Sequence, residues 1–283
     1  MRRMFSRQLV EARHEMLSIF EAVDLALHDA VTSLVENDKK LAKSAMEQTL
    51  TIDARCANLE AVCYNLIATQ GPMASDLRQL QTIIFSNFNF ERMSNHVRGI
   101  ARGARKSAKT HPMPQELRDL IDNQARLVYR VLGETVSALV NNDLARVMTL
   151  EALDEPVDEA YKDFYRVLMR MMEEGTADEG EQENPRRAIM ASRYLERISD
   201  ISVEIGTRLV YMLTGRRYTP TDLTELDDEE REAARVPSGE GVIMEPEVDA
   251  AFVANMPKDE LPPEFAEQVA HAGASEDADG DQA

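Results

Sequence analysis

The sequence repeats itself at an offset of 105 residues. Residues 33–38 read Ser-Leu-Val-Glu-Asn-Asp, and residues 138–143 read Ala-Leu-Val-Asn-Asn-Asp. Without a gap, the same offset places Val23, Leu27, Val31, Asp53, Glu91, Arg92, Ser94 and Ile100 on Val128, Leu132, Val136, Asp158, Glu196, Arg197, Ser199 and Ile205. One register that holds over three segments indicates a duplication, so the chain is expected to fold as two copies of one unit.

Each copy contains three stretches with the period of an amphipathic helix. In the first copy the apolar residues recur every three or four positions over residues 17–34, 41–66 and 77–100. Asn37 is a favourable N-cap for the second helix, and Gly71-Pro72 separates the second helix from the third. In the second copy Asn142 takes the place of Asn37. There an acidic loop over residues 175–185 is expected to precede a third helix over about residues 186–213.

These patterns predict an all-α fold of two tandem antiparallel three-helix bundles, in residues 1–110 and 111–218. No alternating, strand-like segment competes in these two units. Residues 219–283 differ, because they carry 19 Asp and Glu against 3 Lys and Arg and hold six of the 11 prolines. A segment of this composition cannot bury enough apolar surface to fold, so we expect the acidic tail to be mostly disordered from about residue 222.

Charge and hydropathy narrow the classes of function. The net charge is −19, but most of it lies in the tail, and no dominant basic stripe predicts direct nucleic-acid binding. A local basic run over residues 98–109 fits either a solvated helix end or a contact surface. Neither a signal peptide nor an apolar run of about 20 residues is visible, which predicts a cytoplasmic protein. Cys56 and Cys63 are expected to be reduced and packed.

The third helix of each copy carries a polar motif. In the second copy Glu196 and Asp200 are four residues apart, so both carboxylates project from one helix face. Like charges at this spacing repel each other, and a cation between them would offset the repulsion. Carboxylates without Cys or His neighbours suit hard ions such as Mg²⁺ or Mn²⁺, and also iron. In the first copy Glu91 is kept, but Asn95 replaces the second carboxylate.

A plainer interpretation of both motifs stays open. The same residues fit ordinary solvated helix faces, with Arg92 and Arg197 as partners of the acids. His96 is expected to be hydrogen-bonded or exposed rather than a metal ligand.

No catalytic set is recognisable, so we predict that the chain is not an enzyme. The glycine-rich phosphate loop and the Gly-x-Ser-x-Gly nucleophile elbow are both missing from the sequence. The main enzymatic alternative is a carboxylate-bridged di-iron oxidase, which is also a helical bundle. Such sites use a Glu-x-x-His motif from each of two helices, and the sequence holds only one such spacing, Glu11–His14.

Residues 1–215 resemble the PhoU family, the accessory regulators of phosphate-specific transport. The family pattern on each third helix, approximately Asp-Leu-Glu-Arg-Ile-Gly-Asp, corresponds to residues 89–95 and 194–200. Residues 70–78 are similar to the family's turn Gln-Pro-x-Ala-x-Asp-Leu-Arg. The opening, with Phe5 and Leu9, and the pair Ile52-Asp53 also fit the family.

The resemblance implies metal sites at these motifs. Because Asp53 and Asp158 are equivalent in the repeat, we predict that they complete each site from the second helix. The predicted ligands are Glu196, Asp200 and Asp158 in the second copy, and Glu91, Asn95 and Asp53 in the first. Asn89 and Asn95 depart from acidic positions of the family pattern, which weakens the first site. The ion is expected to be divalent or trivalent, namely Mg, Mn, Fe or Zn.

The function implied is negative regulation of phosphate uptake and of the phosphate-starvation response. Such a protein couples the ATPase subunit of the phosphate ABC transporter to a phosphate sensor histidine kinase. A homodimer and peripheral membrane association are implied as well. The alternative is a metal-binding helical scaffold that does not contact the transporter. The acidic tail lies outside the resemblance.

Overall fold

Helices make up most of the residues described in this computed structural model, which are residues 2–107, 113–174 and 183–225. The helices are α1 (Arg2–Val35), α2 (Lys39–Gln70), α3 (Ala74–Ser107), α4 (Gln115–Asn141), α5 (Leu144–Val147), α6 (Leu150–Glu173), α7 (Glu183–Thr214) and α8 (Pro220–Glu225). No strand occurs within these three described ranges. The predicted all-α class is therefore confirmed.

The first copy is a bundle of α1, α2 and α3, each of which packs on the other two. The apolar period places Phe20 and Phe90 in its centre, where both side chains are fully buried and their rings lie 5.0 Å apart. Full burial of such a side chain stabilises a fold by about 1.5–3 kcal/mol. The bundle turns between α2 and α3 at Gly71, whose φ of 55° is the left-handed conformation that glycine adopts without strain.

The turn between α1 and α2 corrects the predicted cap. Asp38, and not Asn37, caps α2: its Oδ1 accepts hydrogen bonds from two backbone amides of the first turn, at 2.7 and 3.1 Å. Asn37 instead adopts a left-handed φ of 60°, which Asn tolerates better than most residues. The second copy repeats this division of roles, with Asn142 at a φ of 53° and Asp143 as the cap of α5.

The second copy is a bundle of α4, α6 and α7. Its second helix is divided into α5 and α6, where the first copy has the single helix α2; the apolar period did not predict this break. Pro156 lies inside α6, where it removes one intrahelical hydrogen bond. Helix α7 begins at Glu183, so the predicted loop ends earlier than expected and Pro185 falls in the first turn, where proline is tolerated.

The two copies pack on each other mainly through their third helices, α3 and α7, and also through α1 and α4. Gly99 permits a close approach of α3 and α7, because a Cβ at this position would lie 2.4 Å from Cε2 of Tyr194. Arg13 of α1 reaches the end of α4, where its Nη2 donates to the carbonyl of Leu139 at 2.6 Å and to Oδ1 of Asn142 at 2.7 Å. The helices with the polar motifs are therefore direct neighbours.

A short helix, α8, follows the second bundle and packs on α6 and α7. Its Leu223 is buried, so the first residues of the predicted acidic tail form a short helix with an apolar anchor. The rest of the predicted tail, residues 226–283, lies outside the described residues. Cys56 and Cys63 are buried free thiols. No helix in the described ranges is both long and apolar enough to cross a membrane.

Candidate metal centre

Three aspartates meet between α6 and α7. Asp154 and Asp158 lie one turn apart on α6, so they share one helix face, and Asp200 faces them from α7. One carboxylate oxygen from each residue lies within 4.8 Å of the other two. The structure thus brings together the predicted residues Asp158 and Asp200 and adds Asp154, which was not predicted. Three carboxylates in this arrangement offer the oxygen ligands that hard cations take.

Glu196, the other predicted residue of this copy, borders the cluster without joining the three-aspartate group. Its Oε2 is buried without a hydrogen-bond partner in the described part of the chain. Nε of Arg197 is 3.9 Å away, which is too far for a hydrogen bond. Oδ1 of Asp154 is buried and unpartnered in the same way. Oγ of Ser199 is buried without a well-formed hydrogen bond, although it lies close enough to Asp154 to lower the pKa of that carboxyl. Leaving such atoms unsatisfied costs about 1–3 kcal/mol each, so they are the atoms that a bound cation would satisfy.

The electrostatics of the cluster also favour a cation. Burial raises the pKa of Asp154 to about 6; Asp200 and Asp158 add to this rise, and Ser199 opposes it. Burial, followed by the charge of Asp158, raises the pKa of Asp200. Burial, followed by the charge of Asp200, raises the pKa of Glu196. The neighbouring arginines therefore do not fully neutralise these carboxylates. A cluster of this kind fits a Mg²⁺, Mn²⁺ or iron ion.

The equivalent place in the first copy holds an arginine. Nη2 of Arg98 forms an ion pair with Oδ2 of Asp53, Nη1 donates to Oδ1 of Asn95 at 2.9 Å, and Nε donates to Oγ1 of Thr49 at 2.9 Å. Oγ of Ser94 donates to the other oxygen of Asp53 at 2.8 Å. The guanidinium of Arg98 therefore occupies the oxygen atoms of Asp53 and Asn95 that were predicted to bind a metal ion. Arg98 belongs to the basic run over residues 98–109, but its side chain points inward rather than into solvent.

Glu91, the remaining predicted residue of the first copy, is not paired with its neighbour Arg92. Burial, followed by the charges of Asp53 and Glu60, raises the pKa of Glu91. Arg92 instead crosses to the second copy, where its Nη1 lies 3.2 Å from Oε2 of Glu204. Arg92 thus does not neutralise the acid of its own motif, and it links α3 to α7.

His96 lies between the two motifs and stacks on Tyr194, with ring centroids 5.3 Å apart. Burial, together with Arg92 and Arg197, lowers the pKa of His96 to about 4. The imidazole is therefore neutral at pH 7, and its role is to pack α3 on α7.

Sequence reasoning missed two residues, Asp154 and Arg98, that distinguish the equivalent places in the two copies. Asp154 lies four residues before Asp158, the same spacing as that of Glu196 and Asp200, and this was a usable signal. Arg98 was assigned to a basic run at a helix end. The second copy has Val203 at the position equivalent to Arg98, and the first copy has Thr49 at the position equivalent to Asp154. The difference between the two places is therefore seen when the copies are compared.

The fold and the site together define a class: duplicated three-helix-bundle proteins with a carboxylate cluster beside the third helix. The family model of the PhoU domain matches residues 16–104 and 121–209, one match in each copy. The chain therefore belongs to the PhoU family.

Curated relatives and solved structures agree with this assignment. The chain is 25% identical over 224 residues to a Clostridium acetobutylicum protein named phosphate-specific transport system accessory protein PhoU homolog, covering 78% of this chain and 99% of that protein. It is 28% identical over 220 residues to the protein of the same name from Pseudomonas putida, covering 75% of this chain and 81% of that protein.

Two crystal structures resemble the fold. PhoU from Pseudomonas aeruginosa matches with a TM-score of 0.67 and 27% identity, covering 75% of this chain and 100% of that chain. The phosphate transport system regulatory protein PhoU from Streptococcus pneumoniae matches with a TM-score of 0.68 and 23% identity, covering 76% of this chain and 99% of that chain. The second likeness concerns the fold alone.

Proposed function

We propose that this protein is an accessory regulator of phosphate transport, which lowers phosphate uptake and represses the phosphate-starvation response. The observation that carries the proposal is the pair of PhoU domain matches, one in each bundle. The names of the curated relatives, accessory proteins of a phosphate-specific transport system, support the same role. In this role the chain acts by binding other proteins, and no catalytic step is assigned to it.

The partners that we propose are the ATPase subunit of a phosphate ABC transporter and a phosphate sensor histidine kinase. The names of the relatives, accessory proteins of a phosphate-specific transport system, support contact with the transporter. The proposed contact with the kinase extends the resemblance of residues 1–215. The protein would act in the cytoplasm, at the inner face of the membrane, as a homodimer. Sedimentation of the purified chain would test the dimer.

A gene deletion tests the regulatory role. Loss of the gene is expected to raise intracellular phosphate and to activate phosphate-starvation genes in phosphate-replete medium, and the intact gene should reverse both effects. Unchanged phosphate content and unchanged expression in the deletion strain would overturn the proposal.

The carboxylate cluster supports a second function, a metal-binding scaffold that does not contact the transporter. Co-purification with the transporter ATPase under phosphate-replete conditions separates the two functions. Recovery of the ATPase supports the regulator. Consistent failure to recover it, with metal binding intact, favours the scaffold.

We propose Asp154, Asp158 and Asp200 as the metal ligands, with Glu196 and Ser199 beside them. A bound Mg²⁺, Mn²⁺ or iron ion would neutralise the clustered carboxylates and cross-link α6 to α7. Zn²⁺ also remains to be tested, although it more commonly takes His and Cys ligands. The oxidase alternative is tested separately, by measuring O₂-dependent oxidation of Fe²⁺; rapid catalytic turnover would contradict a purely regulatory role.

A further inference from the structure

A cavity of about 360 Å³ opens where the end of α7 meets α8 and the side of α3. Its volume falls within the range of small-molecule sites, about 300–1,000 Å³. The cavity is lined by residues that include Phe85, Arg208, Tyr211, Arg217, Tyr218 and Thr219. It thus combines two guanidinium groups with three aromatic rings and with the carboxylates of Glu204 and Asp222. The metal centre contributes none of these residues.

Aromatic rings, rather than acids, hold the two arginines in place. The guanidinium carbon of Arg208 lies 4.0 Å from the ring centroid of Phe85, and that of Arg217 lies 5.2 Å from the ring centroid of Tyr211. The hydroxyl of Tyr211 donates to Oε1 of Gln81 at 2.7 Å, which fixes the ring under Arg217. Stacking on aromatic faces orients a guanidinium and leaves its N–H groups free to donate.

The turn after α7 brings Arg217 close to Arg208. Helix α7 ends at Thr214, and the next residue, Gly215, has a φ of 76° that reverses the chain. Arg217 therefore returns over the ring of Tyr211 in the last turn of α7. The two cations are close enough that Arg217 acts with burial to lower the pKa of Arg208. Two like charges held together in this way are stabilised by an anion between them.

The two carboxylates that line the cavity, Glu204 and Asp222, each have one oxygen already engaged. Oε2 of Glu204 pairs with Nη1 of Arg92 at 3.2 Å, and Oδ2 of Asp222 accepts from the backbone amide of Thr219 at 2.7 Å. Within the described ranges, neither Arg208 nor Arg217 has an acidic residue at ion-pair distance. The counter-ion of this arginine pair is therefore not supplied by the part of the chain that the structure describes.

We propose that the cavity is an anion site that binds a phosphate group through Arg208 and Arg217. Planar guanidinium forks match the oxygen atoms of phosphate, and two of them can bind several of these oxygens at once. The aromatic walls leave room for an organic portion, so the source is either inorganic phosphate or a phosphomonoester. Arg208 follows Asp200 by eight residues on α7, about 12 Å along the axis, so the site is distinct from the metal centre.

The test is isothermal titration of the full-length protein with inorganic phosphate and with a nucleoside monophosphate, in chelator at 150 mM salt. The chelator removes binding through a metal ion. Saturable binding of at least one probe at one site per chain is expected. Tighter binding of the monophosphate assigns the site to a phosphomonoester, and equal binding assigns it to the phosphate ion.

Arg208→Gln and Arg217→Gln are each expected to weaken binding roughly tenfold to hundredfold, which corresponds to the loss of a charge-assisted hydrogen bond. Arg216→Gln is the matched control: it removes the adjacent arginine, which does not line the cavity, and it should change affinity less than about twofold. Arg217 is exposed, so its variant should keep the wild-type circular dichroism. Absence of saturable binding to the wild type, or equal losses in all three variants, would overturn the proposal.

Discussion

The two copies share a scaffold but treat the same place in opposite ways. In the first copy Arg98 lies among Asp53, Asn95 and Thr49 and neutralises the site from within. In the second copy Val203 stands at the position of Arg98, and aspartates stand at the positions of Asn95 and Thr49. Three differences at equivalent positions thus convert a self-neutralised ion pair into an acidic cluster without its own cation. A duplicated fold can keep its core while the charged residues at equivalent positions diverge.

The largest expected effect comes from giving the second copy the arginine of the first. In Val203→Arg, a guanidinium at the position equivalent to Arg98 should pair with Asp158 and exclude a metal ion. We expect Mn²⁺ affinity to fall by about a hundredfold or more, measured by calorimetric titration. Val203→Met is the control, since it adds length without charge and should retain binding. Equal Mn²⁺ affinity in both variants would contradict the equivalence of the two sites.

The converse change removes the internal cation of the first copy. Arg98→Met leaves Asp53 without its ion pair, and the free energy of unfolding should fall by about 1–3 kcal/mol, measured in urea. The exposed pair of Arg126 and Asp122 provides the control, because Arg126→Met should cost less than about 1 kcal/mol. If the two variants lost the same stability, Arg98 would be an ordinary surface residue.

The fold was predictable from sequence because the repeat and the apolar period both report on core packing. The predicted equivalence of Asp53 and Asp158 likewise placed a carboxylate of the second helix beside each motif. The ion pair of Arg98 with Asp53 could not be predicted, because a run of basic residues does not show which side chains point inward and which point into solvent. Asp154 has no acidic counterpart in the first copy, so a search for shared features passes over it. Neither the break before α6 nor the anchor of α8 has a signal in the apolar period.

A third prediction concerns pH in the metal-free protein. Because burial raises the pKa of Asp154 to about 6, the folded state binds the carboxyl proton of Asp154 more tightly than the unfolded state does. The free energy of unfolding therefore decreases as pH rises from about 4 to about 6, and the contribution of Asp154 is constant above that window.

Comparison with Asp154→Asn isolates this contribution. The stability of the wild type relative to the variant should decrease by about 1–2 kcal/mol over the window, after allowance for screening by solvent. Urea unfolding in chelator at several pH values measures it. Saturating Mn²⁺ should remove the decrease, since a bound cation requires the ionised carboxylate. A pH-independent difference between the two proteins would show that Asp154 ionises normally.

The smallest expected effect is at the ion pair that joins the two copies. Arg92 and Glu204 are both well exposed to solvent, so Arg92→Gln should cost less than about 1 kcal/mol. Urea unfolding measures the change, and high salt should reduce it further. A loss above about 2 kcal/mol would mean that the contact between the copies depends on this pair more than on the packing of α3 on α7.

The central claim, that only the second copy binds a metal ion, is tested most directly by one matched pair of variants. Mn²⁺ is titrated into wild type, Asp158→Asn and Asp53→Asn, which change the equivalent carboxylate in each copy. We predict one region of tight binding in the wild type, lost in Asp158→Asn and retained in Asp53→Asn. Loss of binding in Asp53→Asn, with binding retained in Asp158→Asn, would contradict the account.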